Sequence, residues 1–90
     1  MIVRLRFFAH YRELFGSRDR DMSLPPGSTV KDILEALCDT AERRESVFDG
    51  RLKPDVVVMK NGVPILSLGG LTAPLEQGDT VAIFPLIGGG

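Results

Sequence analysis

One long amphipathic helix is written into this chain, and it limits what the rest can become. Val30, Ile33, Leu34, Leu37 and Ala41 recur at helical spacing, while Lys31, Asp32, Glu35 and Asp39 fall elsewhere on the wheel. The break Pro25-Pro26-Gly27 precedes it, and either Ser28 or Thr29 can cap it. Thr29-Val30-Lys31-Asp32 has capping-box spacing, with Asp where Glu is usual. Fraying is expected near Arg43-Arg44. A single apolar stripe can cover one face of one sheet, so the remaining apolar segments must supply that sheet.

They do so as strands. In residues 2–8, Val3, Leu5 and Phe7 share one face, and Arg4, Arg6 and Phe8 the other. Ala9 to Phe15 fits a short helical turn stopped by Gly16. Residues 19–24 form a weak strand whose start, Arg18-Asp19-Arg20-Asp21, suits a charged sheet edge. Residues 45–54 read as a loop or a short extra turn. Val56 to Lys60 is a strand, and Asn61-Gly62 a type I′ hairpin signal. Pro64 confines the return strand to an edge. Leu68 to Pro74 is irregular, and Glu76-Gln77-Gly78-Asp79 turns into a last strand, Thr80 to Pro85. Strand, strand, helix, strands is an α+β order: a mixed sheet packed on one main helix, in the β-grasp arrangement. Its first and last strands would be parallel neighbours.

Composition narrows the class. Ninety residues make one small core. Lys plus Arg number 11 against 12 Asp plus Glu, so no basic field argues for nucleic acid. The single cysteine, Cys38, excludes a disulfide framework or multi-cysteine metal site within the chain. Arginines interrupt the apolar N-terminus, which spoils a signal-peptide core, and no run reaches the roughly 20 apolar residues of a membrane span. The expectation is a cytoplasmic domain with no nucleic-acid or membrane partner.

The sequence closes on Gly88-Gly89-Gly90, directly after Val81-Ala82-Ile83-Phe84-Pro85-Leu86-Ile87. Taken as the C-terminus, these glycines form a tail without Cβ atoms that can enter a narrow site and present the Gly90 carboxylate there. Residues 1–85 would be the globular domain and 86–90 a flexible tail, reaching roughly 17 Å when extended. Ordering five residues costs about 5–10 kcal/mol, so a docking surface on the domain must offset it. Alternation locates that surface. If Val81 and Ile83 face the helix, Ala82 and Phe84 face away, with Phe8, Val57 and Met59 beside them. Pro85, Leu86 and Ile87 lead from the same strand into the tail. A register slip of one residue would instead bury Phe8 and Phe84.

Phe8-Ala9 with Arg12-Glu13-Leu14-Phe15-Gly16, Asn61-Gly62, Gly78-Asp79-Thr80-Val81-Ala82-Ile83-Phe84-Pro85 and the terminal glycines occur together in this order. Over nearly the whole chain this resembles the ubiquitin-like sulfur-carrier proteins, in the branch of the molybdopterin synthase small subunit and the archaeal small modifier proteins. Two departures stand out: three terminal glycines where two are typical, and Lys60 where an apolar residue is usual. The resemblance implies that the chain is a substrate and not an enzyme. An E1-like partner would adenylate Gly90 with ATP, and a sulfur-donor protein would convert it to a thiocarboxylate. The sulfur would go to molybdopterin through the synthase large subunit, or to thiamine, cysteine or transfer-RNA thiolation. Attack by a lysine amine on the same activated carbonyl would instead make the chain a covalent protein modifier. No cofactor or metal is expected on the chain itself.

The remaining polar residues carry little. Cys38 follows Leu37 on the helix and reads as a small buried hydrophobe. His10 has no paired acid at useful spacing and reads as a solvated helix-start residue, and Gly69-Gly70 as a turn. Arg4, Arg6 and Arg12 could steer an acidic partner or be ordinary surface charges.

Overall fold

The computed structural model describes residues 1–86. Its strands are β1 (Ile2–Phe7), β2 (Asp19–Ser23), β3 (Val56–Lys60), β4 (Val63–Pro64) and β5 (Thr80–Pro85). Its α-helices are α1 (Tyr11–Phe15), α2 (Val30–Leu37) and α3 (Ala41–Ser46), and two 3-10 turns span Ile65–Leu68 and Gly70–Thr72. The sheet order is β2-β1-β5-β3-β4. As expected, β5 runs parallel to β1, pairing Leu5 with Val81 and Phe7 with Ile83. It runs antiparallel to β3, pairing Val57 with Phe84 and Met59 with Ala82. Both edge strands are the weak ones, charged β2 and two-residue β4.

The core lies between the sheet and α2. Val3, Leu5, Phe7, Val56, Val58, Val81 and Ile83 meet Val30, Ile33, Leu34 and Leu37, all of them buried. Phe7 stacks on Phe15 of α1 with ring centroids 4.8 Å apart. The α2 N-terminus uses the expected cap: the Asp32 carboxylate accepts from the Thr29 backbone N–H at 2.8 Å.

The main helix is shorter than its periodicity indicates. Ala41 does not continue it. The chain leaves α2 at Cys38, and Thr40, extended at φ −126°, opens α3 by accepting from the Arg43 N–H at 3.1 Å. Asp39 and Thr40 favour side-chain–backbone bonding over helix interior, which ends one helix and starts another. No residue of α3 is buried, but its exit buries Val47 and Phe48, core residues inside the stretch read as a loop or turn.

A polar clamp fixes where β5 begins. Asn61 (φ +51°) and Gly62 (φ +80°) make the left-handed hairpin turn. The Asn61 side-chain amide donates to Asp79 Oδ1 at 2.9 Å, and its oxygen accepts the Thr80 N–H at 2.9 Å. Asp79 Oδ2 accepts the Glu76 N–H at 2.8 Å. Lys60 Nζ donates to the Pro74 carbonyl at 2.9 Å and lies 3.8 Å from Asp79 Oδ2. The unusual Lys60 is thus half of a partly buried ion pair beside the turn. Burial pushes the Asp79 carboxyl pKa up, but bonds from Asn61 and Glu76 and the Lys60 charge outweigh it and hold the pKa below the usual range.

A carboxyl with a depressed folded pKa stabilises the fold above its unfolded value and loses that effect as pH falls through the folded one. Asp79→Asn should therefore cost about 1–3 kcal/mol at neutral pH. The wild-type advantage should shrink below about pH 4, as read by urea unfolding of both proteins across pH.

Candidate functional site

Pleating gives the sheet two unlike faces. Away from α2, the β2–β1 half carries Arg4 paired with Asp21 and Arg6 with Asp19, each at 3.2 Å and about half exposed. Such pairs contribute little to stability. The β5–β3 half is apolar. Ala82 lies opposite Met59 and Phe84 opposite Val57, and these side chains are half-buried. Phe8, one residue past β1, meets Phe84 edge-to-face with centroids 5.9 Å apart.

These side chains bound a groove of about 490 Å³. Of the residues expected on this surface, Phe8, Met59, Ala82, Phe84 and Pro85 line it. Val57 shares the face as the partner of Phe84 but is not among the lining residues. Leu86, assigned to the tail, is 60% exposed, and its N–H donates to the Asp55 carbonyl at 2.8 Å, one residue beyond the β5 ladder. Ile87, Gly88, Gly89 and Gly90, the residue expected to react, lie outside the described residues.

Arg6, Ala9, Gly62 and Thr80 also line the groove, and none was singled out for this surface from the sequence. Arg6 and Thr80 share the strand parity of Phe8 and Ala82, a signal that was available. Ala9 and Gly62 are turn residues placed by positive φ, +53° and +80°. For a residue with a Cβ that left-handed conformation costs about 1–2 kcal/mol. It turns the chain from β1 into α1, where Arg12 Nε donates to the Phe7 carbonyl at 3.0 Å.

The other polar candidates sit where the sequence reading placed them. Cys38 is buried, and burial, the largest influence, raises its thiol pKa, which disfavours the nucleophilic thiolate. His10 is exposed, its ring 4.2 Å from that of Tyr11. Burial, and secondarily the Asp55 charge, raises the pKa of Tyr11, which belongs to the core. No group of three or more His, Cys, Asp or Glu that could hold a metal is present among the described residues. Nor is any helix among them long and apolar enough to cross a membrane.

Fold and face together define a small β-grasp protein with an apolar groove on the outer side of its sheet. The chain belongs to the ThiS family, whose model matches residues 5–90. It is 39% identical over 93 residues to small archaeal modifier protein 3 of Haloferax volcanii, with 100% of each chain covered. The HVO 2177 protein of Haloferax volcanii has a similar structure, with TM-score 0.83 and 36% identity over 100% of this chain and 87% of that one. So has a Pyrococcus furiosus chain assigned as molybdopterin converting factor, subunit 1, with TM-score 0.76 and 26% identity over 97% of this chain and 99% of that one. The resemblance read from the sequence is thus shown. The protein is a ubiquitin-like member of a sulfur-carrier and modifier family.

Adjacent residues of β5 should separate the two faces. Ile83→Ala should cost about 2–5 kcal/mol by emptying the core. Phe84→Ala should cost less, about 0.5–1.5 kcal/mol for its pairing with Phe8 beyond the modest apolar area a half-buried ring gives up. Urea denaturation of the two variants measures the contrast; similar losses would contradict an outward Phe84.

Proposed function

We propose that this protein is a sulfur carrier whose Gly90 carboxylate is activated by an E1-like enzyme docked on the Phe8–Phe84 groove. The carrying observation is continuity: Phe84 and Pro85 line the groove, and Leu86 leads on toward the glycine tail. A partner seated there is held beside the segment it must act on. The chemistry needs such a partner because a carboxylate is a poor acyl donor. Attack by Gly90 on the α-phosphorus of ATP would expel pyrophosphate and leave an acyl-adenylate. Sulfide (HS⁻) delivered by a donor protein would attack the acyl carbon, displace AMP and yield a thiocarboxylate. Residues 1–85 serve as the handle and 86–90 as the reactive tail.

A precursor of molybdopterin is the sulfur acceptor we favour, with a synthase large subunit holding the same groove. Likeness to the Pyrococcus furiosus chain supports this reading. A second reading, covalent protein modification, has its own support in the 39% identity to small archaeal modifier protein 3. The two share activation and docking and part only at the nucleophile, sulfur or a lysine amine.

Intact mass spectrometry of the protein recovered from its native host separates them. Sulfur in place of one carboxylate oxygen at Gly90 is expected of the carrier, and isopeptide adducts on target lysines of the modifier. An unaltered tail, together with normal growth after deletion of Gly90, would overturn both. Phe84→Ala should raise the KM for this protein in ATP–pyrophosphate exchange by about 10–100-fold, the effect of removing an aromatic anchor worth ~1–3 kcal/mol.

A further inference from the structure

Beside the apolar groove lies a second cleft, of about 230 Å³, lined in part by Arg6, Arg12, Arg18 and Asp19. Three arginines and one aspartate among the lining residues give a local excess of +2, on a chain whose formal net charge is −1. Arg6 engages Asp19 at 3.2 Å. Among the described residues, neither Arg12 nor Arg18 makes an ion pair. Arg12 is held in place by its Nε bond to the Phe7 carbonyl, and the Arg18 carbonyl accepts the Phe7 N–H at 2.8 Å. The guanidinium carbons of Arg6 and Arg12 lie 5.4 and 5.6 Å from the centre of the Phe8 ring. Arg6 and Phe8 line both cavities, so the positive cleft and the apolar groove form one continuous surface.

We propose that this cleft receives an acidic side chain of the protein that docks on the groove, so that the partner presents an apolar residue next to an Asp or Glu. The inference rests on the docking role assigned above and names the partner's chemistry. An apolar side chain would cover Phe8 and Phe84 while the carboxylate enters between Arg12 and Arg18. Guanidinium groups bind carboxylates through paired, charge-assisted hydrogen bonds, and Phe8 already braces two of them by cation–π contact. A polyanion fits poorly. Asp19 and Asp21 stand on the neighbouring strand, each already engaging an arginine, and would repel a continuing phosphate backbone. One or two carboxylates match the +2 excess; a nucleic acid would need a longer positive track. The cleft therefore selects among partners and speeds their encounter.

The test is ATP–pyrophosphate exchange by the purified adenylating enzyme of the same organism, with the full chain as substrate and salt as variable. Arg18→Glu alters a side chain with no hydrogen bond among the described residues, so its fold should be retained. It should raise KM about 10-fold at low salt, and much less once salt reduces the Debye length to about 3 Å. Arg12→Gln should act likewise, and Arg12→Lys, which keeps the charge but not the paired hydrogen bonds, should recover only part of the loss, with circular dichroism confirming the fold of each. Wild-type KM and salt dependence in Arg18→Glu and Arg12→Gln would overturn the inference. If Phe84→Ala still raises KM, only the acidic contact fails; if it too is silent, the docking role fails with it. Saturation of the cleft by inorganic phosphate in an NMR titration, or binding of a labelled oligonucleotide that Arg18→Glu abolishes, would also overturn the inference in favour of another anion.

Discussion

Everything in this molecule depends on β5 lying between β1 and β3. Without it β1–β2 and β3–β4 are separate ribbons, and two-stranded hairpins are marginal in water. The insertion is directed from both sides. Parallel pairing with β1 puts Val81 and Ile83 level with Leu5 and Phe7. Antiparallel pairing with β3 puts Ile83 opposite Val58. Burial of these residues against α2 fixes the register, because a one-residue slip would trade the buried set for Ala82 and Phe84. The outer apolar face is therefore the other half of the same decision. Core packing that selects Val81 and Ile83 necessarily presents Ala82 and Phe84 to the outside.

That coupling explains which parts were legible in the sequence. Alternation in β1 and β5, the helical spacing of Val30, Ile33, Leu34 and Leu37, and the positive-φ pair Asn61-Gly62 are local signals, and each element formed where its signal lay. Phe8, Met59, Ala82 and Phe84 came together because strand parity and β-grasp order suffice to place them. Failures arose where local patterns compete. Ala41 keeps the helical period of α2, yet Asp39 and Thr40 satisfy the backbone another way and the helix restarts. Val47 and Phe48 are buried through long-range packing after α3, with no periodic run to announce them. The arginine cleft gathers Arg6, Arg12 and Arg18 from a strand, a helix and the approach to β2. Their meeting depends on the left-handed turn at Ala9, which nothing in an alanine indicates.

The polar clamp at the start of β5 gives a physical reason for one departure from the family pattern. An apolar residue at position 60 would leave the Asp79 carboxylate with its hydrogen bonds but without its partly buried counter-charge. Lys60 supplies that charge and also satisfies the Pro74 carbonyl. The cost of burying a charge is kept low because both partners are hydrogen-bonded and retain some contact with water, with side chains 18% and 11% exposed. The clamp joins the hairpin turn after β3 to the turn before β5, and Arg4 of β1 donates its N–H to the Asp79 carbonyl at 2.8 Å. Three strands thus converge on Asp79, at the end of β5 opposite the tail.

The same strand therefore has a fixed end and a presenting end. At the fixed end hydrogen bonds and an ion pair leave β5 little freedom. At the presenting end Phe84, Pro85 and Leu86 are held chiefly by backbone pairing with β3, while their side chains remain at least partly exposed. A partner that covers the groove gains apolar area without disturbing the core, because the groove side chains belong to the opposite pleat. Groove and core draw on different side chains of one strand. The outer residues can thus be tuned to a partner, and charged rim residues such as Arg18 can change the preferred partner, while Val81 and Ile83 stay constrained by the helix. That separation would let a small domain with one main helix serve as the proposed handle without lowering its own stability.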